Sequence, residues 1–507
     1  MSLNTAMILE QAARQSPDRP FLLIPDQRYT YAEVDAEARR FANVLAGLGV
    51  NPGEKVALLF PNVPSFVICY YGVLKLGAVC VPLNPLAPGP EIAYLLADSE
   101  AAVLVAYEPF VRSAVQGFQD AGTCRKLIVA NLPGSRECPP PGKRLEELLS
   151  GAREDFQTAP TQPEEPAVIV YTSGTTGRPK GVVLTHFNFY YLSSQLTRDL
   201  WRLRREDVLL MVAPASHMFG QALINVACFA QAALSLMSKF EPQAFLQTIQ
   251  RDKVTFFAGV PTLGHFLLNA PHVDRHDLSS LRVVMFGGSP MHPRMASQFK
   301  ERFQADVITG YGMTEAAAIT FVTADMEVPP GSVGLPVWGT TTRLVDEQER
   351  DVPAGEPGEI IARGPQFCAG YHNRPEETAE TFRNGWFHTG DAGRMDEDGY
   401  LFIVDRLKDM IKVSGYAVFP AEVERVLLLH DAVAETAVIG VRHKTLGERV
   451  KAFVVLKQDV SVSEGELKAH CKAHLPAYKC PQIVGFSDEL PKSPSGKVLR
   501  SALREQA

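Results

Sequence analysis

The feature that most constrains the fold is a regular alternation of apolar strand-like segments with helix-like segments. Residues 54–60 (EKVALLF) and 78–84 (AVCVPLN) are short and apolar, and the helical pattern of residues 64–77 separates them. The same alternation recurs over residues 254–270 and 281–303. Strands joined through helices in this way form parallel pairs, so the sequence predicts an α/β fold with doubly wound sheets.

Two later regions differ in character. Around residues 330–400, short strand-like segments with Gly and Pro turns predict a β-rich subdomain. After Asp405, two helical and two strand-like segments predict a small α+β domain. We therefore expect a large N-terminal domain at 1–404, a hinge at 405–409 and a mobile C-terminal domain at 410–507.

Composition excludes several classes of protein. The 507 residues carry 50 Lys and Arg against 57 Asp and Glu, a net charge of -7, so we expect no nucleic-acid partner bound through bulk positive charge. The eight cysteines contain no C-x-x-C pair, which favours reduced thiols in a cytoplasmic protein. No apolar run reaches the ~20 residues of a membrane span, so we expect no integral membrane segment.

A loop rich in hydroxyls and glycines follows an apolar strand at residues 171–180 (YTSGTTGRPK). Such a backbone turns sharply and directs N–H and O–H donors inward, and Lys180 adds a point charge. A triphosphate is the natural occupant, although a flexible solvent loop is the simpler alternative. The segment lacks the G-x-x-x-x-G-K-[ST] pattern of a Walker loop, and no helix is expected to begin at Lys180.

The segment 171–182 (YTSGTTGRPKGV) resembles the phosphate-loop signature of the AMP-forming, adenylate-forming superfamily, which includes acyl-CoA synthetases, nonribosomal adenylation domains and firefly-type luciferases. Further segments follow in the family's order as far as residue 500, so the resemblance covers essentially the whole chain. It implies ATP, Mg²⁺ and CoA as cofactors and co-substrates. The phosphate contacts that it implies are Thr172, Ser173, Gly174, Thr175, Thr176, Gly177 and Lys180, with Thr176 and Lys180 also catalytic and Thr176 close to the metal.

Two segments resemble the nucleotide-binding walls of this family. Residues 286–290 (FGGSP) resemble one adenine wall, and residues 309–315 (TGYGMTE) resemble the adenine-and-magnesium segment. The flat ring of Tyr311 can stack on a purine, and Glu315 offers a hard oxygen ligand for Mg²⁺ as well as a catalytic carboxylate. The other nucleotide contacts implied are Gly288, Ser289, Pro290, Gly312, Met313 and Thr314.

The ribose segment and the hinge come next. HTGDAG at 388–393 predicts that Asp391 sits in a tight turn, where a carboxylate can accept both ribose hydroxyls. The resemblance adds Ile403 and Arg406 as nucleotide contacts and Lys408 as the pivot of the C-terminal domain.

The C-terminal domain supplies the second set of site residues that the resemblance implies. Lys412, Ser414 and Gly415 would line the face on which CoA reacts, with Lys412 also catalytic. Residues 491–500 (PKSPSGKVLR) resemble the signature whose lysine, here Lys497, enters the site and binds the nucleotide as a catalytic residue.

The acid substrate is expected beside residues 214–220 (PASHMFG). In this family a histidine in that setting, here His217, lies near the substrate carboxylate and the mouth of the acyl pocket, with no proton-transfer role assigned. The other substrate contacts that the resemblance implies are Phe219, Gly220, Val260, Gly287 and Gly312.

These features predict an enzyme that activates a carboxylic acid to acyl-AMP with release of pyrophosphate and then forms a CoA thioester after domain rotation. The expected pocket segments 219–228, 256–267 and 314–321 contain no Lys or Arg, which favours a medium- to long-chain fatty acid or an aryl acid over a dicarboxylate. The alternatives are an aryl-acid CoA ligase, an adenylation enzyme or fatty-acyl-AMP ligase that loads a carrier protein, and a luciferase-like oxygenase. We expect a monomer or a homodimer.

Overall fold

The structure is a computed structural model that describes residues 2–172, 178–271, 273–288, 291, 294–414, 416–443, 447–458, 460–492 and 498–506. The chain forms two compact units, one of residues 1–341 with 363–387 and the other of residues 342–362 with 388–507. The domain limits expected from the sequence, at 404/405 and 409/410, stay a prediction.

The first unit contains two large sheets. Its strands are β1 Pro20–Ile24, β2 Gln27–Thr30, β3 Lys55–Leu59, β4 Val79–Leu83, β5 Ala101–Tyr107, β6 Lys126–Ala130, β7 Lys143–Arg144, β8 Pro166–Thr172, β9 Lys180–Thr185, β10 Val208–Met211, β11 Ala233–Leu236, β12 Phe256–Gly259, β13 Val283–Phe286, β14 Asp306–Tyr311, β15 Thr320–Val322 and β16 Leu335–Pro336. Its helices are α1 Met7–Gln15, α2 Tyr31–Gly47, α3 Pro64–Lys75, α4 Gly89–Ser99, α5 Val111–Ala121, α6 Leu145–Ser150, α7 His186–Gln195, α8 Met218–Ala230, α9 Pro242–Asp252, α10 Pro261–Asn269, α11 Met295–Phe303 and α12 Pro375–Thr381.

The strand order confirms the predicted doubly wound architecture. One sheet has the order β7-β6-β5-β3-β4-β8-β9, and the other has the order β16-β15-β14-β13-β12-β10-β11-β1-β2. Pairs in the middle of both sheets, such as β3–β4 and β12–β13, are parallel, while β8–β9, β1–β2 and the pairs of β15 with β14 and β16 are antiparallel. Helices connect the parallel strands, as the alternation in the sequence predicts.

The helices of the first unit begin and pack for identifiable reasons. Thr30 caps α2 in a capping box with Glu33, which satisfies backbone N–H groups at the helix start. Helix α3 is buried along nearly its whole length, and its Lys75 is fully buried. The Lys75 ammonium lies 2.9 Å from Glu10 and 2.8 Å from Asp35, so two ion pairs fasten α1 and α2 to α3.

The second unit is rich in strands, as predicted. The remaining strands are β17 Thr341–Val345, β18 Gly358–Arg363, β19 Phe382–Arg383, β20 Trp386–Met395, β21 Leu401–Arg406, β22 Ile411–Val413, β23 Tyr416–Val418, β24 Val433–His443, β25 Gly447–Leu456 and β26 Ile483–Phe486. Three of them, β20, β24 and β25, have 10 or 11 residues and are not short. The helices are α13 Pro420–Leu428, α14 Glu464–His474 and α15 Arg500–Glu505. Strands β17, β18, β20 and β21 belong to one sheet, and β23-β22-β25-β24 with β26 form a second.

Two further expectations concern cysteines and membrane spans. All eight cysteines are free, and all except Cys138 are buried, as expected for reduced structural thiols. None of the helices in the described part of the chain has the length and apolar composition of a membrane span.

Candidate active site

Most of the predicted acid and adenine contacts lie at the carboxyl ends of four adjacent parallel strands of the nine-stranded sheet. Strands β10, β12, β13 and β14 are neighbours in register, with Gly259 opposite Phe286 and Phe286 opposite Thr309. Their carboxyl ends therefore meet at one edge of the sheet. The segments that follow β10, β12 and β13 carry His217, Val260 and Gly287, and Tyr311 is the last residue of β14. Ligands of open α/β sheets bind at such an edge, so the topology assembles a candidate substrate site.

The turn after β14 is built around Gly312. A Cβ on this residue would lie 1.9 Å from the carbonyl oxygen of Ala317, so only glycine fits without a shift of the backbone. Ala317 has a φ of 55°, and its N–H donates to the carbonyl of Met313 at 2.7 Å. This tight loop fixes the half-buried residues from Tyr311 to Glu315, including Thr314, at the sheet edge.

The ends of β12 and β13 lie side by side. The N–H of Gly287 donates to the carbonyl of Gly259 at 3.0 Å, and Val260 begins α10 in an extended conformation. Gly288 has a φ of +78°, and a Cβ there would lie 3.9 Å from Cγ1 of Val260, so the left-handed backbone rather than crowding favours glycine at this turn. Ser289 and Pro290 lie outside the described residues, and their adenine contacts stay predictions.

His217 precedes α8 and is exposed. The turn that presents it depends on Gly220, because a Cβ there would lie 2.2 Å from the carbonyl oxygen of Pro214. Phe219 is half-buried, and the buried Gln221 donates its amide to the carbonyl of Ala215. The backbone of residues 214–220 is thereby fixed, while the imidazole stays accessible to an incoming acid.

The predicted phosphate loop connects two paired strands. β8 ends at Thr172 and β9 begins at Lys180, and these residues face each other in the antiparallel register. No helix begins at Lys180, as expected. Ser173, Gly174, Thr175, Thr176 and Gly177 lie outside the described residues, so their phosphate contacts stay predictions.

Lys180 lies where the predicted loop ends and is the first residue of β9. Its side chain is largely buried and forms an ion pair with Glu377. The ammonium also lies 5.5 Å from the centre of the Tyr371 ring. An ammonium held over an aromatic face and beside one carboxylate has a fixed position, from which it can contact a phosphate that enters the loop.

Glu315 contacts the same tyrosine. The Tyr371 hydroxyl donates to Glu315 Oε1 at 2.9 Å, and the N–H of Cys368 donates to the Glu315 carbonyl at 2.7 Å. Burial, and next the Glu315 charge, raise the pKa of Tyr371 above its ordinary value, so the hydroxyl stays protonated and donates. The chain segment around 368–371 thus holds both the backbone and the carboxylate of Glu315.

The surroundings of Glu315 fit a divalent cation. Glu315 is half-buried, and within the described ranges no Lys or Arg forms an ion pair with it. A carboxylate oxygen without a protein cation is the type of ligand that Mg²⁺ takes beside phosphates. Thr176, the second predicted metal residue, lies outside the described residues.

The second unit corrects one expectation. Asp391 does not sit in a tight turn; it lies within β20, opposite Arg406 of β21. The Asp391 carboxylate is buried and lies 2.7 Å from Nε of Arg406. Glycines on both sides of Asp391 suggested a turn, but strand pairing and a register shift at 392/393 accommodate them. Ile403 is half-buried opposite Gly393. The carboxylate is therefore held by a cation rather than by turn geometry.

The predicted pivot and thioester residues also lie in the second unit. Lys408 is exposed in a single 3₁₀ turn, Leu407–Asp409. Lys412 lies in β22, and its N–H donates to Glu448 at 2.8 Å. Ser414 has a φ of 51°, which marks a sharp turn before β23.

Two residues assigned to the second unit's chemistry lie outside the described residues. These are Gly415 and Lys497, whose roles stay predictions.

A shallow cleft of about 550 Å³ beside Lys412 is also lined by Arg442 and His443. Sequence reasoning missed both of these basic side chains, since they belong to a strand end 30 residues away from Lys412.

Sequence reasoning also missed Tyr371 and Glu377 in the first unit. Both contact Lys180, although about 190 residues of sequence separate them from it. A Gly-Tyr pair followed by acidic residues at 370–377 was the only local signal.

Comparison with protein families gives two matches along the chain. Residues 9–372 match the AMP-binding enzyme family, and residues 422–497 match the AMP-binding enzyme C-terminal domain.

Among curated relatives, a long-chain-fatty-acid–CoA ligase of Escherichia coli O6:H1 is 35% identical, over 99% of this chain and 94% of its own. A feruloyl-CoA synthase of an Amycolatopsis species is 36% identical, over 97% of both chains.

Solved structures agree with these matches. An anthranilate CoA ligase in complex with anthranoyl-AMP has a TM-score of 0.90 and 31% identity, covering 100% of this chain and 97% of its own. A Mycobacterium tuberculosis fatty acyl CoA synthetase has a TM-score of 0.80 and 32% identity, covering 99% of this chain and 98% of its own. The chain therefore belongs to the AMP-binding enzyme family, among the AMP-forming acid–thiol ligases known as acyl-CoA synthetases.

Proposed function

We propose that this enzyme activates a medium- or long-chain fatty acid with ATP to form acyl-AMP and pyrophosphate, and then transfers the acyl group to CoA. The observation that carries the choice of acid is the apolar composition of segments 219–228, 256–267 and 314–321, which contain no Lys or Arg. A dicarboxylate would need a cation for its far carboxylate, whereas an alkyl chain needs apolar contact alone.

The first half-reaction is an electrostatic problem. A carboxylic acid with a pKa near ~4 is already ionised at pH 7, so it attacks without a general base. The carboxylate must approach the α-phosphate of ATP, and a pair of like charges at ~4 Å costs about 4 kcal/mol at an effective dielectric of ~20. A bond from a carboxylate oxygen to the α-phosphorus forms as the bond from that phosphorus to pyrophosphate breaks, and positive groups must offset the charge throughout.

We propose three sources of positive charge around the phosphates. Lys180 holds a positive charge at the base of the phosphate loop, and Glu315 with Thr176 would hold Mg²⁺. When bound, Mg²⁺ neutralises phosphate oxygens and fixes their geometry. Lys497 would supply a further positive charge near the attacked phosphate, according to the family resemblance.

The second half-reaction needs different groups. The thiol of CoA loses its proton to solvent, its sulfur attacks the acyl carbon, and AMP leaves with the electrons of the bond between the acyl carbon and the phosphate oxygen. We propose that the C-terminal domain rotates about Lys408 between the steps, so that Lys412, Ser414 and Gly415 replace Lys497 at the reaction centre. Arg442, which lines the same cleft as Lys412 together with Glu448, supports an anionic co-substrate such as CoA.

An aryl acid is the second candidate substrate. The feruloyl-CoA synthase of Amycolatopsis aligns over 97% of both chains, and the anthranilate CoA ligase has a TM-score of 0.90. The same apolar segments would accept a ring as readily as an alkyl chain.

A substrate panel distinguishes these proposals. Purified enzyme with ATP and Mg²⁺ is given fatty acids of increasing length, ferulate, benzoate or malonate, and pyrophosphate release is measured. We expect the highest kcat/KM with a fatty acid and negligible release with malonate; a maximum with ferulate or benzoate would support the aryl-acid alternative. Parallel reactions with CoA and with a phosphopantetheinyl carrier protein identify the acceptor, and thioester formation with the carrier alone would contradict the CoA assignment.

A further inference from the structure

Tyr371 lies between two residues of the proposed ATP site and has no assigned role. Its hydroxyl donates to Glu315 Oε1 at 2.9 Å, and its ring centre is 5.5 Å from the Lys180 ammonium. One side chain therefore contacts both the proposed metal ligand and the phosphate-loop lysine.

The backbone around Tyr371 is fixed to the strand that carries Lys180. The N–H of Val183 donates to the Gly370 carbonyl at 2.9 Å, and the N–H of His372 donates to the Gly181 carbonyl at 2.8 Å. The Tyr371 N–H itself donates to Thr378 Oγ1 at 2.9 Å. Hydrogen bonds before and after Tyr371 therefore fix the backbone that carries the ring.

The same segment also binds the backbone of Glu315. The N–H of Cys368 donates to the Glu315 carbonyl at 2.7 Å, three residues before the tyrosine that binds the carboxylate. A carboxylate ligand binds a cation best when its orientation is fixed before the cation arrives, because no rotamer freedom is then lost on binding.

We propose that Tyr371 is a positioning residue for Mg²⁺-ATP: its hydroxyl orients the Glu315 carboxylate toward the metal, and its ring aligns Lys180 with the phosphates. This inference rests on the proposed function, since it takes ATP and Mg²⁺ as the ligands. Tyr371 touches neither reacting atom in this account and acts through Glu315 and Lys180.

Tyr371→Phe removes the hydroxyl and keeps the ring. The test is the dissociation constant of ATP, measured by calorimetry without any acid, in the presence of Mg²⁺ and again with EDTA. We expect Tyr371→Phe to raise the constant about ten- to hundredfold with Mg²⁺, the loss of one hydrogen bond to a charged group, and to leave it within about twofold with EDTA. Tyr371→Leu also removes the ring over Lys180, so it should weaken ATP binding in EDTA as well.

A matched control and a double variant separate positioning from a general structural effect. Tyr191→Phe removes a hydroxyl that donates to the Trp338 carbonyl; neither residue is among the proposed site residues, so this variant should leave both constants unchanged. In a Glu315→Gln background, Tyr371→Phe should change the Mg²⁺ constant less than about twofold, because the group that it orients has already lost its charge. Thermal unfolding of each variant confirms that it is folded at the assay temperature.

The outcomes are distinct. Equal weakening by Tyr371→Phe with Mg²⁺ and with EDTA, or full additivity with Glu315→Gln, overturns the positioning role of the hydroxyl. Unchanged EDTA binding in a folded Tyr371→Leu variant overturns the alignment of Lys180. If the unmodified enzyme binds ATP no more tightly with Mg²⁺ than with EDTA, both this inference and the metal part of the proposed function fail. If Mg²⁺ tightens ATP binding to the unmodified enzyme but the variants contradict the expectations above, only this inference fails.

Discussion

The pH dependence of folding follows from His186, a fully buried imidazole at the start of α7. Its Nδ1 accepts the N–H of Thr5 at 3.1 Å and lies 3.0 Å from the Thr5 hydroxyl. Burial lowers the pKa of His186 from 6.5 to about 4. Between these values the unfolded chain binds a proton that the folded chain excludes, so stability falls as the pH decreases from 6.5 to 4 and changes no further below that.

The magnitude follows from these two pKa values. At pH 5.0 the factor 1 + 10^(pKa − pH) is about 30 times larger for the unfolded state than for the folded state. This ratio corresponds to a loss of about 2 kcal/mol in the free energy of unfolding. At pH 7.5 the contribution is close to zero, because the imidazole is neutral in both states. This loss is a considerable part of the 5–15 kcal/mol that typically separates folded from unfolded proteins.

The assay is urea unfolding at pH 7.5 and 5.0, followed by tryptophan fluorescence. All three tryptophans, Trp201, Trp338 and Trp386, belong to the first unit, so the signal reports the unit that contains His186. His186→Asn keeps an oxygen that can accept from Thr5 but cannot titrate near pH 5. We expect the unmodified protein to lose about 2 kcal/mol more than this variant between the two pH values. An equal loss in both proteins would refute the reasoning.

Three further substitutions test individual site residues. Lys497→Ala should abolish acyl-AMP formation from ATP and spare thioester formation from supplied acyl-AMP; equal loss of both, measured by pyrophosphate release and thioester formation, would contradict its role. Gly415→Leu should do the reverse, and unchanged CoA turnover would count against it. Gly312→Ala should cost about 1–3 kcal/mol in urea unfolding and raise the KM for ATP, because its Cβ would lie 1.9 Å from the Ala317 carbonyl oxygen. Gly47→Ala, with no atom within 4 Å of its Cβ position, is the control, and similar effects of the two would exclude crowding as the cause.

The architecture of the first unit could be predicted because local patterns determine it. Short apolar strands alternating with helices specify parallel sheets, and β12, β13 and β14 then place Val260, Gly287 and Tyr311 at one edge. Segments that follow strand ends are adjacent in space even when they are distant in sequence. The family resemblance added the chemical roles, which the strand pattern alone does not supply.

The contacts that fix individual side chains could not be predicted in this way. Asp391 has glycines on either side, which is typical of a turn, but its pairing with Arg406 depends on a register between two strands. Tyr371 meets Glu315 across 56 residues of sequence, and Lys180 meets Glu377 across an even longer separation. Such contacts depend on tertiary packing, which neither periodicity nor composition encodes.

The central claim is that this chain forms an acyl-adenylate before the thioester. The most direct measurement is mass spectrometry of the products formed by stoichiometric enzyme, ATP, Mg²⁺ and the best acid of the panel, quenched before and after CoA is added. We expect acyl-AMP and pyrophosphate to accumulate first, and CoA then to convert the adenylate into acyl-CoA and AMP. Formation of acyl-CoA with ADP and inorganic phosphate, and no adenylate at any time, would contradict the account.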